Sequence, residues 1–200
     1  TLKVKDFFRM YSIGKRVWVL IVGLFVIMSN AFAQTITLNR ISYSLNSDLT
    51  ATVVQRSPEY SGNVTIPSTI TYNGETYTVT TIGPSAFEYC DGLTSITIPN
   101  SVDGIYGKAF AYCRNLTSVI LSDSLKAIGY EAFEDCDGLT SIVIPNSVTL
   151  IDYKAFNYCS NLTSVILSDS LKTLGYRSFY NCSKLSSIVI PNSVSLTSIE

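Results

Sequence analysis

A 23-residue repeat dominates the sequence from residue 81 to the end, and it constrains the fold more than any other feature. Apolar and cysteine positions recur at this spacing through five units without an insertion. The clearest column contains every cysteine of the chain, namely Cys90, Cys113, Cys136, Cys159 and Cys182. A short unit cannot bury its apolar residues alone, so neighbouring units must stack and share one continuous core. The sequence therefore predicts a solenoid.

Each unit contains one strand signal and one turn signal. In the first unit, Leu93, Ile96 and Ile98 form the pattern of a leucine-rich-repeat strand, in which alternate side chains point inward. Phe87 and Cys90 precede it three residues apart, a spacing typical of the buried face of a short helical turn. We therefore predict a mainly β leucine-rich-repeat solenoid with one short parallel strand and one short helical turn per 23-residue repeat.

A longer period of two units is superimposed on the repeat. The segment from Asn115 to Lys126 matches the segment from Asn161 to Lys172 at every position. The strand ends alternate between Ile-Pro-Asn-Ser-Val, as at residues 98–102, and Leu-Ser-Asp-Ser-Leu, as at residues 121–125. Duplication of a two-unit block is the simplest origin of this alternation.

The unit resembles the BspA-like leucine-rich repeat, a 23-residue class. The resemblance rests on the run from Ala86 to Val102, Ala-Phe-x-x-Cys-x-x-Leu-Thr-Ser-Ile-x-Ile-Pro-x-Ser-Val, and it covers residues 64–200. Ser101 departs from the commoner signature, which has Asn or Cys at that position. The resemblance implies a leucine-rich-repeat fold in a surface or secreted protein of a host-associated bacterium or mucosal parasite. It also implies a role in adhesion or interaction, without naming a ligand.

Residues 1–33 have the features of a secretory signal region, with Met10 as the expected true start. Lys15 and Arg16 precede an uncharged apolar run over residues 17–28. This run is shorter than the roughly 20 residues of a membrane-spanning helix, which favours a signal peptide over an uncleaved anchor. Ala31-Phe32-Ala33 fits a cleavage site, so we expect cleavage after Ala33. We predict a secreted or cell-surface protein, bacterial by its resemblance, held at a membrane only through the signal peptide or an anchor beyond the chain.

Two hairpin signals indicate that residues 34–80 cap the solenoid. Alternating apolar residues flank Asn46-Ser47-Asp48, and a second pair of strands flanks the Asn73-Gly74 turn. An uncapped solenoid end would expose apolar residues and an unpaired strand edge, so we predict an N-terminal β-hairpin cap. Residues 81–200 then hold about five repeats. A further unit begins and stops at Glu200, so we expect the C-terminus to be truncated, or a cap or anchor to follow.

Composition excludes several kinds of function. The chain has no histidine, which excludes Ser-His-Asp and Cys-His catalysis and histidine-ligated metals. Beyond residue 33 it carries 9 basic and 14 acidic residues with no basic cluster, which argues against nucleic acid as a partner. We interpret the odd number of cysteines as buried thiols and the acidic group at residues 134–137 as solvated surface. We predict a non-enzymatic protein with no catalytic residues, cofactor or metal.

Two outward-facing rows are candidate interaction surfaces. One combines serines with β-branched residues at the outward strand positions: Ser118, Ile120, Ser141, Val143, Ser164, Ile166, Ser187 and Val189. The alternative is a row of tyrosines on the turn side: Tyr130, Tyr153 and Tyr176. Such rows can mark interaction surfaces, although β-branched residues also suit strands for packing reasons alone. We predict binding to an extracellular protein or cell-surface ligand, as in adhesion to host or microbial surfaces. The alternative is a glycan-binding or structural module of a larger cell-envelope protein.

Overall fold

The structure, a computed structural model, describes residues 33–196, and every regular element in that range is a β-strand. Most of the predicted signal region, including the expected start at Met10, lies outside the described residues. The last four residues of the chain lie outside them as well. Within residues 33–196, none of the elements is a helix with the length and hydropathy needed to cross a membrane.

The predicted hairpins are both present at the amino-terminal end of the solenoid. Six strands begin there: β1 (Gln34–Leu38), β2 (Ile41–Leu45), β3 (Thr50–Val54), β4 (Gly62–Thr65), β5 (Thr69–Tyr72) and β6 (Glu75–Ile82). Strands β2 and β3 pair antiparallel, and so do β5 and β6. The turn of the second hairpin places Asn73 and Gly74 in the left-handed region, at φ of 50° and 84°, which these residues tolerate best. Strand β3 pairs in parallel with β6 and so joins the two hairpins in one sheet.

Four repeats contribute two short strands each, not the single strand that the sequence predicted. The longer ones are β7 (Leu93–Thr97), β9 (Ser118–Ile120), β11 (Ser141–Val143) and β13 (Ser164–Ile166). The shorter ones are β8 (Gly104–Ile105), β10 (Ala127–Ile128), β12 (Leu150–Ile151), β14 (Thr173–Leu174) and β15 (Ser195–Leu196). The shorter strands continue from β6 as one parallel sheet in the order β6-β8-β10-β12-β14-β15. Two residues are too few to show strand alternation, which is why the pattern did not reveal these strands.

The longer strands form two separate parallel sheets. Strands β4, β7 and β9 make one sheet, β11 and β13 make the other, and β9 does not pair with β11. The break between the two sheets comes after the β9 unit, which ends in Leu-Ser-Asp-Ser-Leu. Strands β7 and β9 therefore belong to one two-unit block of the sequence, and strands β11 and β13 belong to the next. The next segment along, residues 187–189, is not a strand. The two-unit period therefore appears in the structure as paired strands.

The segment predicted as a helical turn is instead a series of separate hydrogen-bonded turns. Backbone N–H groups of Ala86 and Cys90 donate to carbonyls three residues earlier, at 3.3 and 3.1 Å. Ser85 and Tyr89 adopt left-handed backbone conformations, with φ of 54° and 61°, and the same two positions do so in every later repeat. The N–H of Phe87 donates to Ala109 of the next unit at 2.7 Å. A continuous helix does not form because left-handed residues interrupt the chain and some N–H groups, such as that of Phe87, bond to the next unit.

A ladder of phenylalanine rings runs through the core and defines the stacking. The rings lie parallel in neighbouring units, with centroids 4.9 to 5.2 Å apart, along Phe87, Phe110, Phe133, Phe156 and Phe179. Before the first repeat, Tyr60 packs on Phe87 with ring centroids 4.3 Å apart and so covers this end of the phenylalanine ladder. The buried Tyr60 hydroxyl accepts a hydrogen bond from the Ser42 N–H at 3.0 Å and donates one to the Val54 carbonyl at 2.7 Å.

Candidate interaction surfaces

The predicted strand row lies on the outer face of β9, β11 and β13 for six of its eight residues. Ser187 and Val189 follow in a segment that is not a strand. We call this surface, together with the outer face of β7, the sheet face. Strand alternation places Ile142 in the core and the neighbouring residues outside. The β-branched members Ile120, Val143, Ile166 and Val189 are 58%, 59%, 59% and 85% exposed. The four serines of the row, Ser118, Ser141, Ser164 and Ser187, are exposed as well. Strand register aligns Val143 with Ile166, so the row is continuous across the second sheet.

The sheet face carries no formal charge along this row. Residues 117–121, 140–144 and 163–167 contain only threonine, serine and aliphatic side chains. The acidic residues Asp123 and Asp169 follow at the ends of two of these segments. A partner that covers the row therefore removes water from apolar and hydroxyl groups and leaves no charge to desolvate. The desolvation cost of binding is correspondingly low.

The tyrosine row on the turn side is partly occupied by contacts within the chain. Tyr130 and Tyr153 are 47% and 39% exposed, whereas Tyr176 is only half-exposed and stacks on Tyr153 with ring centroids 6.0 Å apart. The Lys154 ammonium lies over the Tyr153 ring at 5.0 Å. Tyr130 covers Gly107, where an added Cβ would lie 2.1 Å from the ring. These contacts stabilise the turn side, and the exposed parts of the tyrosine rings remain accessible to a partner.

Several other exposed tyrosines lie outside the row that the 23-residue spacing predicted. Tyr106 is among the most exposed aromatic residues of the described chain, and its position has no tyrosine one repeat later. Tyr89 stacks on Tyr112 with ring centroids 4.7 Å apart and planes 5° apart. Tyr158 and Tyr180 meet edge to face at 6.2 Å. The turn side thus presents several aromatic pairs instead of one continuous tyrosine stripe.

The cysteine column is buried, and each thiol is free. In the later units the thiol donates a hydrogen bond to the phenylalanine carbonyl of the preceding unit, as from Cys113 to Phe87 at 3.0 Å and from Cys136 to Phe110 at 3.1 Å. Burial raises the pKa of Cys90 to about 11 and raises the pKa of Cys113 further. The described residues contain no cluster of cysteine and acidic side chains that could hold a metal ion. These thiols therefore pack the core and satisfy buried carbonyls.

The acidic group at residues 134–137 differs from the predicted solvated surface, because Glu134 is only 8% exposed. Its carboxylate accepts hydrogen bonds from the Asn157 amide at 2.7 Å and from the Tyr112 hydroxyl at 3.3 Å. The preceding unit has the small Ala111 at the equivalent position. Asp135 pairs with the Arg114 guanidinium at 2.9 Å. The carboxylates are engaged with separate structural partners and do not form a catalytic pair.

One cavity lies on the sheet face, and another lies among the strands that precede the repeats. One, of about 360 Å³, opens on the sheet face between β9 and β11 and includes Ser118, Ile120, Ser141 and Val143 of the predicted row. The other, of about 370 Å³, lies beside the cap, where the Arg56 guanidinium donates to the Arg40 carbonyl and lies 5.3 Å from the Tyr60 ring centroid. Neither cavity was predicted, because both depend on gaps between elements.

Stacked units with parallel strands, a phenylalanine ladder and an exposed strand face define a solenoid protein of the leucine-rich-repeat class. Six copies of the BspA type leucine rich repeat region match residues 80–200, so the chain belongs to that family. No curated protein sequence matches the chain at a significant level.

Solved bacterial structures show the same fold. The leucine-rich repeat protein of T. pallidum is 29% identical with a TM-score of 0.71, and the match covers 79% of this chain and 72% of that one. A leucine rich cell surface protein of Faecalibacterium prausnitzii is 30% identical with a TM-score of 0.63, covering 83% and 50%. The pneumococcal vaccine antigen PcpA is 25% identical with a TM-score of 0.65, covering 82% and 46%. The chain thus spans about half the length of the latter two proteins.

Proposed function

We propose that this chain is a secreted or cell-surface bacterial protein that adheres to host or microbial surfaces by binding a protein through its sheet face. The observation that carries the proposal is the row of exposed β-branched residues Ile120, Val143, Ile166 and Val189, flanked by serines and free of charge. Aliphatic side chains at outward strand positions favour burial against a partner, whereas threonine or lysine there would favour solubility.

Two of the structural neighbours support the proposed location. One is described as a cell surface protein and another as a vaccine antigen. The proposed role is binding without catalysis. It is supported by the lack of histidine and by the structural hydrogen bonds that engage Glu134. Leucine-rich repeats of this kind present an extended surface, and such surfaces bind partners.

Burial of two isoleucines of this row would contribute enough binding free energy to change Kd measurably. Full burial of an isoleucine contributes about 1.5–3 kcal/mol, and Ile120 and Ile166 each have slightly more than half of their surface exposed. Covering both would contribute about 2–3.5 kcal/mol, which corresponds to roughly 30- to 300-fold in Kd. Replacing both by lysine removes this contribution and adds two charges that a partner would have to desolvate.

The test compares two double variants that add the same charge to different faces. Ile120→Lys with Ile166→Lys alters the sheet face, and Tyr130→Lys with Tyr153→Lys alters the turn side. Tyr176 is left unchanged because it is half-buried. Both variants must keep the wild-type circular dichroism spectrum and urea midpoint. We expect attachment to epithelial cells and immobilised matrix proteins to fall at least about 30-fold in the sheet-face variant only. An equal fall in both variants, or a fall in the turn-side variant alone, would contradict the proposal.

The second candidate function is glycan binding on the turn side. The exposed aromatic pairs there, Tyr89 with Tyr112 and Tyr153 with Tyr176, are surfaces on which sugar rings can stack. If only the Tyr130→Lys, Tyr153→Lys variant loses attachment, a glycan array identifies the ligand class. A loss of array signal in that variant, with no loss in the sheet-face variant, would establish the alternative.

A further inference from the structure

The cavity among the strands that precede the repeats combines two arginines with a polar wall. Its volume is about 370 Å³, and its walls are the turn between β1 and β2, the segment between β3 and β4, and β4 itself. A cavity of this size is typical of sites that bind small molecules or single units of a polymer. None of its lining residues belongs to the strand row of the sheet face or to the tyrosine row. It is therefore a separate candidate site.

The Arg56 guanidinium is held in one position at this cavity. It donates a hydrogen bond to the Arg40 carbonyl and lies 5.3 Å from the Tyr60 ring centroid. Tyr60 is buried, and its hydroxyl is hydrogen-bonded to the backbone of Ser42 and Val54. A guanidinium carries five N–H donors, and the Arg40 carbonyl is its hydrogen-bond acceptor within the described residues. The other donors can bind a ligand at a small cost in side-chain ordering, because the side chain is already fixed.

The cavity is positively charged although the chain is acidic. Its charged lining residues are Arg40, Arg56 and Glu59, two positive and one negative, for a net charge of +1. Residues 34–200 carry 9 basic and 14 acidic residues. Neither arginine takes part in an ion pair within residues 33–196. Because no carboxylate of the chain neutralises these guanidiniums directly, the cavity attracts an anion.

The polar wall offers hydrogen bonds that suit hydroxyl groups. It contains four exposed residues with amide or hydroxyl side chains: Asn39, Ser61, Asn63 and Thr65. The Asn63 side-chain oxygen accepts hydrogen bonds from the hydroxyls of Thr94 and Ser95, both at 2.9 Å. These two bonds orient the amide and leave its NH₂ group as a donor. A ligand that carries several hydroxyl groups would find partners here.

The cavity offers little apolar surface to a ligand. Ile41 and Tyr60 are buried, Val64 is half-buried, and Pro58 is the exposed apolar residue of the lining. An apolar peptide side chain would therefore gain little by entering, since the free energy of apolar burial is proportional to the area covered. The ligand that fits best carries one anionic group and several hydroxyl groups.

We propose that this cavity binds a carboxylate-bearing sugar, of the uronic acid or sialic acid class, within a surface glycan. The Arg56 guanidinium binds the sugar carboxylate through two parallel N–H···O bonds, because a planar guanidinium matches a carboxylate in this geometry. Arg40 adds positive charge, and Asn63 and Thr65 bind sugar hydroxyls. This site adds a second class of ligand to the protein partner proposed for the sheet face, and it does not depend on that partner.

The test measures binding of small sugars to the purified chain by titration calorimetry and saturation-transfer NMR. The acidic probes are methyl β-D-glucuronide and the methyl glycoside of N-acetylneuraminic acid. Methyl β-D-glucoside is the neutral counterpart, and acetyl-triglycine and inorganic phosphate are anions that are not sugars. We expect at least one acidic sugar to bind about tenfold or more tightly than each of these three. The tighter of the two acidic sugars identifies the class of the natural ligand.

Variants at the two arginines test the assigned contacts. Arg56→Gln should weaken binding of the acidic sugar about tenfold or more, because the charge-assisted hydrogen bonds are lost. Arg56→Lys keeps the charge but loses the paired geometry and should weaken binding about fivefold. Arg40→Gln should weaken it about threefold at low salt and less at 0.5 M salt. The matched control Lys126→Gln removes the same charge from an exposed repeat residue and should change Kd less than about twofold.

Several results would overturn the proposal. They are absence of binding by both acidic sugars, equal binding of methyl glucoside, acetyl-triglycine or phosphate, and equal effects of Arg56→Gln and Lys126→Gln. The urea midpoint of every variant is measured, because Arg56 also contacts Tyr60. If the Arg56 variants do not fold, Arg40→Gln decides, since the Arg40 side chain is exposed, and an unchanged affinity at low salt would then overturn the proposal.

The sheet-face and turn-side variants separate this site from the functions proposed above. Ile120→Lys with Ile166→Lys, and Tyr130→Lys with Tyr153→Lys, should both keep the wild-type affinity for the acidic sugar. Loss of sugar binding in the turn-side variant, with no loss in Arg56→Gln, would place the sugar on the tyrosines and refute the cavity site. Loss of cell attachment in the sheet-face variant, with sugar binding retained, would support both proposals.

Discussion

Removing one ring from the phenylalanine ladder tests how the solenoid is held together. Phe133 is fully buried and stacks on both sides, with ring centroids 5.0 Å from Phe110 and 5.1 Å from Phe156. Phe179 occupies the same position two units later but is only half-buried, and it stacks on Phe156 with ring centroids 5.2 Å apart. We therefore compare Phe133→Ala with Phe179→Ala, two identical changes in different surroundings.

The expected losses follow from burial and from the number of stacked rings. Emptying a fully buried phenylalanine site costs about 3–5 kcal/mol of unfolding free energy, and we expect this full loss at Phe133. Phe179→Ala should cost about 1.5–2.5 kcal/mol, because it exposes less new cavity surface and breaks one stacked pair, each worth about 0.5–1.5 kcal/mol. Phe133→Leu keeps most of the apolar volume and should cost only about 1–2 kcal/mol.

Urea unfolding followed by circular dichroism measures these differences. The free energy of unfolding is obtained by linear extrapolation, and an unchanged slope shows that the same part of the chain unfolds in each variant. Repeat proteins add stability from neighbouring interfaces, so a central site should cost more than a site near the end. Equal losses for Phe133→Ala and Phe179→Ala would refute the nearest-neighbour reasoning. A loss below about 1 kcal/mol at Phe133 would refute the ladder as a source of stability.

Two further predictions concern the core thiols and the cap. All five cysteines should stay unmodified by a thiol reagent at pH 8 until the protein unfolds. With its pKa raised to about 11, Cys90 is only about 0.1% thiolate at that pH, so rapid native labelling or a native disulfide in the mass spectrum would contradict burial. Tyr60→Phe should cost about 1–3 kcal/mol in urea unfolding, because it leaves the buried Ser42 N–H and Val54 carbonyl without their hydroxyl partner. The exposed Tyr106→Phe serves as its control, and an equal effect at both positions would contradict a capping role.

The sequence by itself determined the features that depend on spacing. Columns at 23-residue intervals require stacked units, and strand alternation requires that Ile96 and Ile142 face the core while Ile120 and Val143 face outward. The burial of the cysteine column followed from its place beside phenylalanine and leucine. These features were predictable because each depends on the order of residues within one unit, which every neighbour repeats.

The tertiary structure decided the features that depend on how one unit meets the next. The second strand of each unit, such as Gly104–Ile105, is two residues long and exists because its neighbours pair with it. Glu134 is buried because Asn157 and Tyr112 lie on the adjoining units. Tyr60 covers the ladder from outside the repeat register. The cavity on the sheet face lies where β9 and β11, two strands of similar sequence, do not pair. Each of these depends on contacts between residues more than 20 positions apart, which the composition of a single unit does not specify.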